Sequence, residues 1–568
     1  MEIRDSRRLT GTNLQIGGPA AIAEVSFSED EDPRLSIEQW RAELKRILPS
    51  YALENSEIFC RHYEGGAAIG FTAAIDMLYG ATEINEWAIA EANAALGYEE
   101  RPGQSERKAR VDSELDEEKN PRMRALQDEA LSRKIPFLWD DDFVSVGYGE
   151  HSVTWPTAQL PETSKVPWER CKKIPVALIT GTNGKTTTSR VLTRILCKAG
   201  YSVGNTSTDG VSVNEEFIER GDWTGTGAAR TVLRRDDVSA AVLESARGGL
   251  LRRGLGVESC DVAVVTNVAE DHLGDYGIND VPAMATVKSL VYAVVNESGK
   301  SVINADDPEL MALAGSHKRP LVLISLDPQN PHVVEHRKKS GEAWVLDSGF
   351  LTHCKGTQSQ KIIDVSEIPF TFKGSALHNI SNAMGAAAAA ETMSVPRDFI
   401  VAGLRSFGLS IDDNPGRSRL HETQGVRILL DFGHNPHGVD AMLGTARRMI
   451  AETPEARLCV SYAQAGDRSD EDIIQLTEIV QPHKPDLQII RNVVGYERGR
   501  AENEVQELIQ ATLLKLNVPP EQIRLCNDEL DAIDRALQWA RPGDLIVMLV
   551  HLQRDAMTQW LSEYDAKL

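Results

Sequence analysis

At 568 residues the chain exceeds one ordinary domain, and an apolar content of 41% is enough for several buried cores. A net charge of −23 argues against wrapping nucleic acid by neutralising its phosphate backbone. The seven cysteines lie far apart, with neither disulfide-framework nor zinc-site spacing, as expected of reduced thiols in a cytoplasmic protein. No stretch is long and apolar enough to span a membrane and the N-terminus has no signal-peptide core, so no membrane and no nucleic-acid partner is expected.

The first third carries little chemistry. An alternating apolar segment at 20–27 predicts a strand, and the acidic run at 28–32 reads as a solvated turn. Ser36 and Gln39 make a capping-box pattern ahead of Trp40, Leu44, Ile47 and Leu48 at helical spacing. A second helix is expected from about 83 to 96. The charged run 99–121 reads as an exposed loop or mobile linker. Residues 1–170 are taken as an α+β N-terminal domain.

At 176–179 an apolar run reads as a buried parallel strand. It breaks at Gly181, and a helix begins near Thr186 with Val191, Leu192 and Ile195 on one face. Between them lies Gly181, Thr182, Asn183, Gly184, Lys185, Thr186 and Thr187. Glycines let backbone N–H groups approach phosphates, the helix start adds partial positive charge, lysine neutralises phosphate oxygens, and a threonine hydroxyl suits magnesium. The loop departs from the ordinary Walker pattern, which wants glycine where this chain has Ile179.

Further strands are predicted at 240–243, 262–265, 301–304 and 321–325, alternating with helical stretches. That pattern gives a doubly wound, mostly parallel sheet over residues 171–410. Ligands bind beyond the C-terminal ends of such strands. Glu244 follows one strand; Asn267 and His272 follow another. Thr186 and Glu244 offer hard oxygens for Mg2+, while His272 suits a second ion or phosphate. Lys288 lies in an apolar stretch, though a lysine is ordinarily solvated. His378, Asn379 and Asn382 open an alanine-rich helix that runs through Met393.

After a turn at 412–417 a second, smaller Rossmann-like α/β unit is expected over 411–568, with strands at 426–431, 458–462, 487–491 and 545–550. Its first strand ends in Asp431, followed by His434, Asn435 and Pro436. A nucleotide between two such units would be sandwiched, and closure would exclude water.

In order, Gly181–Thr187 (GTNGKTT), Glu244, Thr266-Asn267 with Asp271-His272, His378-Asn379, and Asp431 with His434-Asn435-Pro436 resemble the motifs of the Mur ligase family over roughly 172–550. Within that family the chain is similar to the C-terminal half of cyanophycin synthetases in the segments TDG at 208–210, GDWTG at 221–225, ESARGGLLR at 244–252, EDHLG at 270–274, NADDP at 304–308, NPGR at 414–417, GDR at 466–468 and RGR at 498–500. The RLTGTN segment at 8–13 also looks like the start of those enzymes' N-terminal domain. It departs from them in that only about 170 residues precede the phosphate loop, and no ATP-grasp module fits there.

The resemblance implies an ATP-dependent, ADP-forming carboxylate–amine ligase that uses Mg2+ and works through an acyl phosphate. Its partners would be a small-molecule or peptide carboxylate and an amino acid, and a homo-oligomer is compatible with it. By resemblance Lys185 and the loop amides hold phosphates, Thr186 and Glu244 hold one magnesium, and His272 holds the second. Lys288 stands near a lysine carbamylated in some members, although its local sequence differs from theirs. Asn379, Arg417 and Asp431 contact nucleotide across the cleft. The alternatives are a peptidoglycan-type or polyglutamate-type ligase, or a catalytically silent ATP-binding relative.

Overall fold

A computed structural model describes residues 1–101, 103–271, 273–410, 412–453 and 455–566. Its largest element is an eleven-stranded sheet whose spatial order is Glu216–Arg220, Gly210–Val213, Val203–Ser207, Ala240–Glu244, Val176–Thr180, Cys260–Val265, Val295–Asn304, Leu321–Ser325, Glu342–Asp347, Phe350–Lys355 and Gln358–Asp364. The run from Val203–Ser207 to Glu342–Asp347 is parallel. Antiparallel strands extend it at both ends. The doubly wound expectation therefore holds, and the added hairpins were not predicted.

The strand Val176–Thr180 is buried along its whole length because it lies mid-sheet, covered on both faces. Leu178 packs into the core on one face; Ala177 and Ile179 pack on the other, against the helices Lys185–Lys198 and Leu377–Thr392. Alanines at 386–390 are buried and let the second helix lie close to the sheet. Truncating Ile179 to alanine there would cost about 2–5 kcal/mol.

The C-terminal sheet has the order Arg419–Thr423, Val426–Asp431, Leu545–Leu549, Leu458–Tyr462, Leu487–Arg491, Ile523–Cys526. All but the first strand are parallel. It is the smaller Rossmann-like unit, with strands within one residue of those predicted and two more at its edges.

The N-terminal region builds a four-stranded antiparallel sheet in the order Glu2–Leu9, Ala20–Ser26, Gly66–Thr72, Ile58–Tyr63. Helices Pro33–Ile47 and Leu78–Ala95 pack on it, with Trp40 Nε1 donating to Asn85 Oδ1 at 3.0 Å. A three-stranded sheet follows, Phe137–Trp139, Phe143–Val146 and Val153–Pro156.

Two expectations here are corrected. The first helix starts earlier than the capping box implied: Asp32 caps it by accepting from Arg34 N and Leu35 N, with Pro33 opening the turn. The segment read as a loop or linker contains the helix Gln104–Glu118. Val111 is buried, and Leu115 reaches the space beside Gly80 of the neighbouring helix. The charges form the solvated face, as in Lys108–Asp112 at 2.5 Å. Among the described residues no helix is long and apolar enough to cross a membrane.

Candidate functional site at the cleft between the two α/β sheets

The strand Val176–Thr180 lies between Ala240–Glu244 and Cys260–Val265, with Ile179 level with Glu244 and Thr180 level with Val265. Neighbouring strand ends thus deliver the glycine loop, Glu244 and Thr266-Asn267 to one edge. Gly181 (φ +149°) has no room for a side chain, since a Cβ would lie 1.9 Å from Thr266 Oγ1. Gly184 (φ +85°) is held to glycine by Asn382 Oδ1, 2.2 Å from its Cβ position.

The loop is fastened by side chains from the next strand. Asn267 Oδ1 accepts from Asn183 N at 3.0 Å, and Asn267 Nδ2 and Thr266 Oγ1 donate to Asn183 O at 2.9 and 2.6 Å. Helix Lys185–Lys198 starts with no side-chain cap, which leaves its first N–H groups directed at the cleft. Lys185 Nζ folds back onto Thr182 O at 2.9 Å. Thr186 Oγ1 donates to Glu244 Oε2 at 2.8 Å, and Glu244 is only 2% exposed. Glu244 Oε1 is buried with no hydrogen-bond partner among the described residues. Burial raises the Glu244 pKa above the usual carboxylate range, with Lys185 and Arg417 acting against it.

Lys288 ends the helix Val281–Lys288 and is 5% exposed, so it is not the solvated lysine of the default reading. Its ammonium donates to Gly181 O at 2.9 Å. Burial first, and then repulsion from Lys185, lowers its pKa to about 7.

The opposite wall comes from the C-terminal sheet. Asp431 ends its strand and accepts from Ser418 N and Gly433 N, both at 2.7 Å. Burial pushes its carboxyl up. Arg417 donates to Asp209 Oδ2 at 2.6 Å and to Thr208 Oγ1 at 3.0 Å. Asn379 is tied to Phe370 O at 2.8 Å and supports Asn382 at 3.1 Å. The space enclosed is about 1420 Å³.

Thr182, Asn183, Gly184, Lys185, Thr186, Thr187, Glu244, Asn267, Lys288, Asn379, Arg417 and Asp431 all line this one cavity. Gly181 sits behind it, presenting its carbonyl to Lys288. His272 lies outside the described residues.

Residues 179–390 match the model of the Mur ligase middle domain, and residues 416–549 that of the Mur ligase, glutamate ligase domain. These are Mur ligase domains. The chain is 37% identical to the cyanophycin synthetase of Synechocystis sp. over 380 residues, 66% of this chain and 42% of that protein. It therefore spans less than half the length of the cyanophycin synthetases it matches. It is 26% identical over 386 residues to the UDP-N-acetylmuramoyl-L-alanyl-D-glutamate–2,6-diaminopimelate ligase of Corynebacterium efficiens, 65% of this chain and 68% of that one. In fold it is similar to E. coli FolC in complex with DHPP and ADP, with a TM-score of 0.50 and 19% identity, covering 69% of this chain and 89% of that one.

Around the Mur ligase domains the structure makes contacts that the motifs alone did not indicate. Asn183 is paired with Asn435 and lies 3.0 Å from His437 Nδ1. Arg554, from the last helix, lines the cavity; no spacing pattern near the C-terminus signalled it. The N-terminal sheet docks on the helix Arg247–Arg253 beside the cleft. There Thr10 N donates to Arg253 O at 2.9 Å and Leu255 N to Thr12 O at 2.8 Å.

Proposed function

We propose that the cleft binds ATP with Mg2+ and joins a carboxylate to an amine through an acyl phosphate, forming ADP. The observation that carries this reading is the buried Thr186–Glu244 contact, with Glu244 Oε1 left without a partner among the described residues, at the start of the phosphate-loop helix. Two hard oxygens in that place fit Mg2+, and His272 is proposed for a second ion. Such an ion supplies charge neutralisation on the transferred phosphoryl group.

The chain's own groups do the rest. Lys185 and the N–H groups at the uncapped start of the helix hold the phosphates, and Arg417 faces them from the other wall. Asn379 and Asp431 are assigned to the nucleotide. The acid's oxygen attacks the γ-phosphorus, and the bond from that phosphorus to the β-bridging oxygen breaks to release ADP. The amine nitrogen then attacks the acyl carbon and loses its proton. The acyl carbon–oxygen bond breaks, and inorganic phosphate leaves. Enclosure between the two sheets keeps water from intercepting the acyl phosphate.

Amino acid ligation of the cyanophycin-synthetase kind is placed first, since that similarity exceeds the similarity to the diaminopimelate ligase. We assign residues 1–170 to acid recognition, 171–410 to ATP binding and 411–568 to closure, with the reaction in the cytoplasm. The test is an ATP-consumption screen over amino acids and short acidic peptides with products weighed by mass spectrometry. A product equal to acid plus amine minus water, formed with ADP, supports the reading. ATP binding without turnover on any pair favours a silent relative.

A further inference from the structure

Asp209 stands in the turn between Val203–Ser207 and Gly210–Val213, at the rim of the cleft. Three guanidinium groups from three different parts of the chain converge on it. Arg190, on the phosphate-loop helix, donates to Oδ2 at 2.9 Å. Arg417, where the chain enters the C-terminal sheet, donates to the same oxygen at 2.6 Å. Arg554, at the start of the last helix, reaches Oδ1 at 3.4 Å.

The surroundings hold each arginine in place. Arg554 lies over the Phe432 ring at 4.5 Å from its centroid. Gly416 (φ +70°) leaves room for it, since a Cβ there would lie 2.6 Å from Arg554 Cδ. The turn before Arg554 is fixed by Glu529, which accepts from the backbone N–H groups of His551, Leu552 and Gln553 at 2.7, 3.2 and 2.7 Å. The linker is pinned too: Arg194 pairs with Asp413 at 2.6 Å, and Asn414 Nδ2 donates to Thr187 Oγ1 at 3.1 Å.

One carboxylate touches three cations, and although Glu244 and Glu215 offset part of their charge, the cluster stays rich in positive charge beside the phosphate loop. Two of the three cations, Arg417 and Arg554, come from the C-terminal side of the cleft, whereas Arg190 and Asp209 belong to the central unit. Without an anion among them the three would repel one another and splay.

We infer that Asp209 is a positioning residue: it gathers Arg417 and Arg554 and aims them at the polyphosphate, so that closure of the cleft and recognition of phosphate are one event. This rests on the nucleotide reading given above. It adds Asp209 and Arg554 to that site, with opposite charges and one shared task.

The test is calorimetric titration of the full chain with Mg·ATP and, separately, with AMP. Asp209→Asn keeps the size and removes the charge; Arg554→Gln removes one gathered cation. Each is expected to weaken Mg·ATP by about tenfold, and the double variant by no more than either alone. AMP affinity is expected to stay within about twofold, which a general loss of structure would not give. Asp209→Glu is expected to recover part of the ATP affinity. If Asp209→Asn binds Mg·ATP as tightly as the wild type or more tightly, added positive charge alone sets affinity and the inference is overturned. Multiplying effects in the double variant also overturn it. If Asp209→Asn fails to fold, Arg554→Gln decides, because an unchanged ATP affinity there is equally fatal. Lys185→Ala serves as the reference. Full ATP affinity in that variant defeats the nucleotide reading itself, whereas a loss there with Asp209→Asn unaffected defeats only this inference.

Discussion

Asn183 of the phosphate loop and Asn435 of the C-terminal wall exchange two amide hydrogen bonds across the cleft, each 3.1 Å long. Asn435 also caps its own helix, Pro436–Ile450, by accepting from Gly438 N at 2.9 Å. Two substitutions separate the tasks. Asn435→Asp keeps an acceptor for the cap and loses the donor to Asn183 Oδ1, so thermal stability should stay near wild type while ATP binding weakens. Asn435→Ala loses both and should also cost about 1 kcal/mol of stability. Calorimetric melting and ATP titration on both variants check this.

Glu244→Gln is expected to weaken Mn2+ binding, read by electron paramagnetic resonance, by about tenfold or more, since a neutral amide replaces a carboxylate beside Thr186. Burial raises the Glu244 pKa. Metal binding by the wild type should therefore begin to fade, on acidification, at a higher pH than an exposed glutamate would give. Equal Mn2+ affinity in the two proteins contradicts the assignment.

Lys288, with a pKa of about 7 when folded, binds fewer protons than it does in the unfolded chain between pH 7 and its ordinary value near 10.5. Its burial therefore costs the most stability below pH 7, and that cost fades as pH rises toward 10. In CO2-free buffer, Lys288→Met should exceed the wild type in stability most clearly near pH 6, with the gap closing by pH 9–10. Denaturant unfolding across that range checks the sign. The neutral amine above pH 7 can also add CO2 to give a carbamate and a proton. With 13C-bicarbonate a carbamate carbonyl signal, absent from Lys288→Met, is the expected result.

Gly11 fits against the backbone of Leu255, where an added Cβ would lie 2.1 Å from the carbonyl oxygen. Gly11→Ala is expected to destabilise the protein by about 1–3 kcal/mol through overpacking, measured by thermal unfolding. Limited proteolysis should then cut more readily around residues 8–14.

How far the sequence discloses this molecule varies along its length. The apolar runs of both α/β sheets were legible because a strand covered on both faces must be apolar throughout, as at 176–180 and 487–491. The edge hairpins were not legible: Glu216–Arg220 is mostly exposed and its composition resembles a loop. Helix Gln104–Glu118 buries a single residue completely, so its charge concealed its period. Lys288 looked solvated because a lysine's burial is decided by distant partners, here Gly181 and Asp271. Strand-end residues such as Glu244 and Asn267 could be placed from topology alone. Arg554 could not, because 345 residues separate it from Asp209.

The central claim is that ATP activates an acid in this cleft, and Lys185 tests it most directly. Once the screen has supplied an acid–amine pair, ADP release and amide formation are measured together in wild type and Lys185→Ala. The account predicts one ADP per amide in the wild type and loss of both, by about a hundredfold or more, in the variant. A Lys185→Ala protein that makes ADP and amide at the wild-type rate would contradict it.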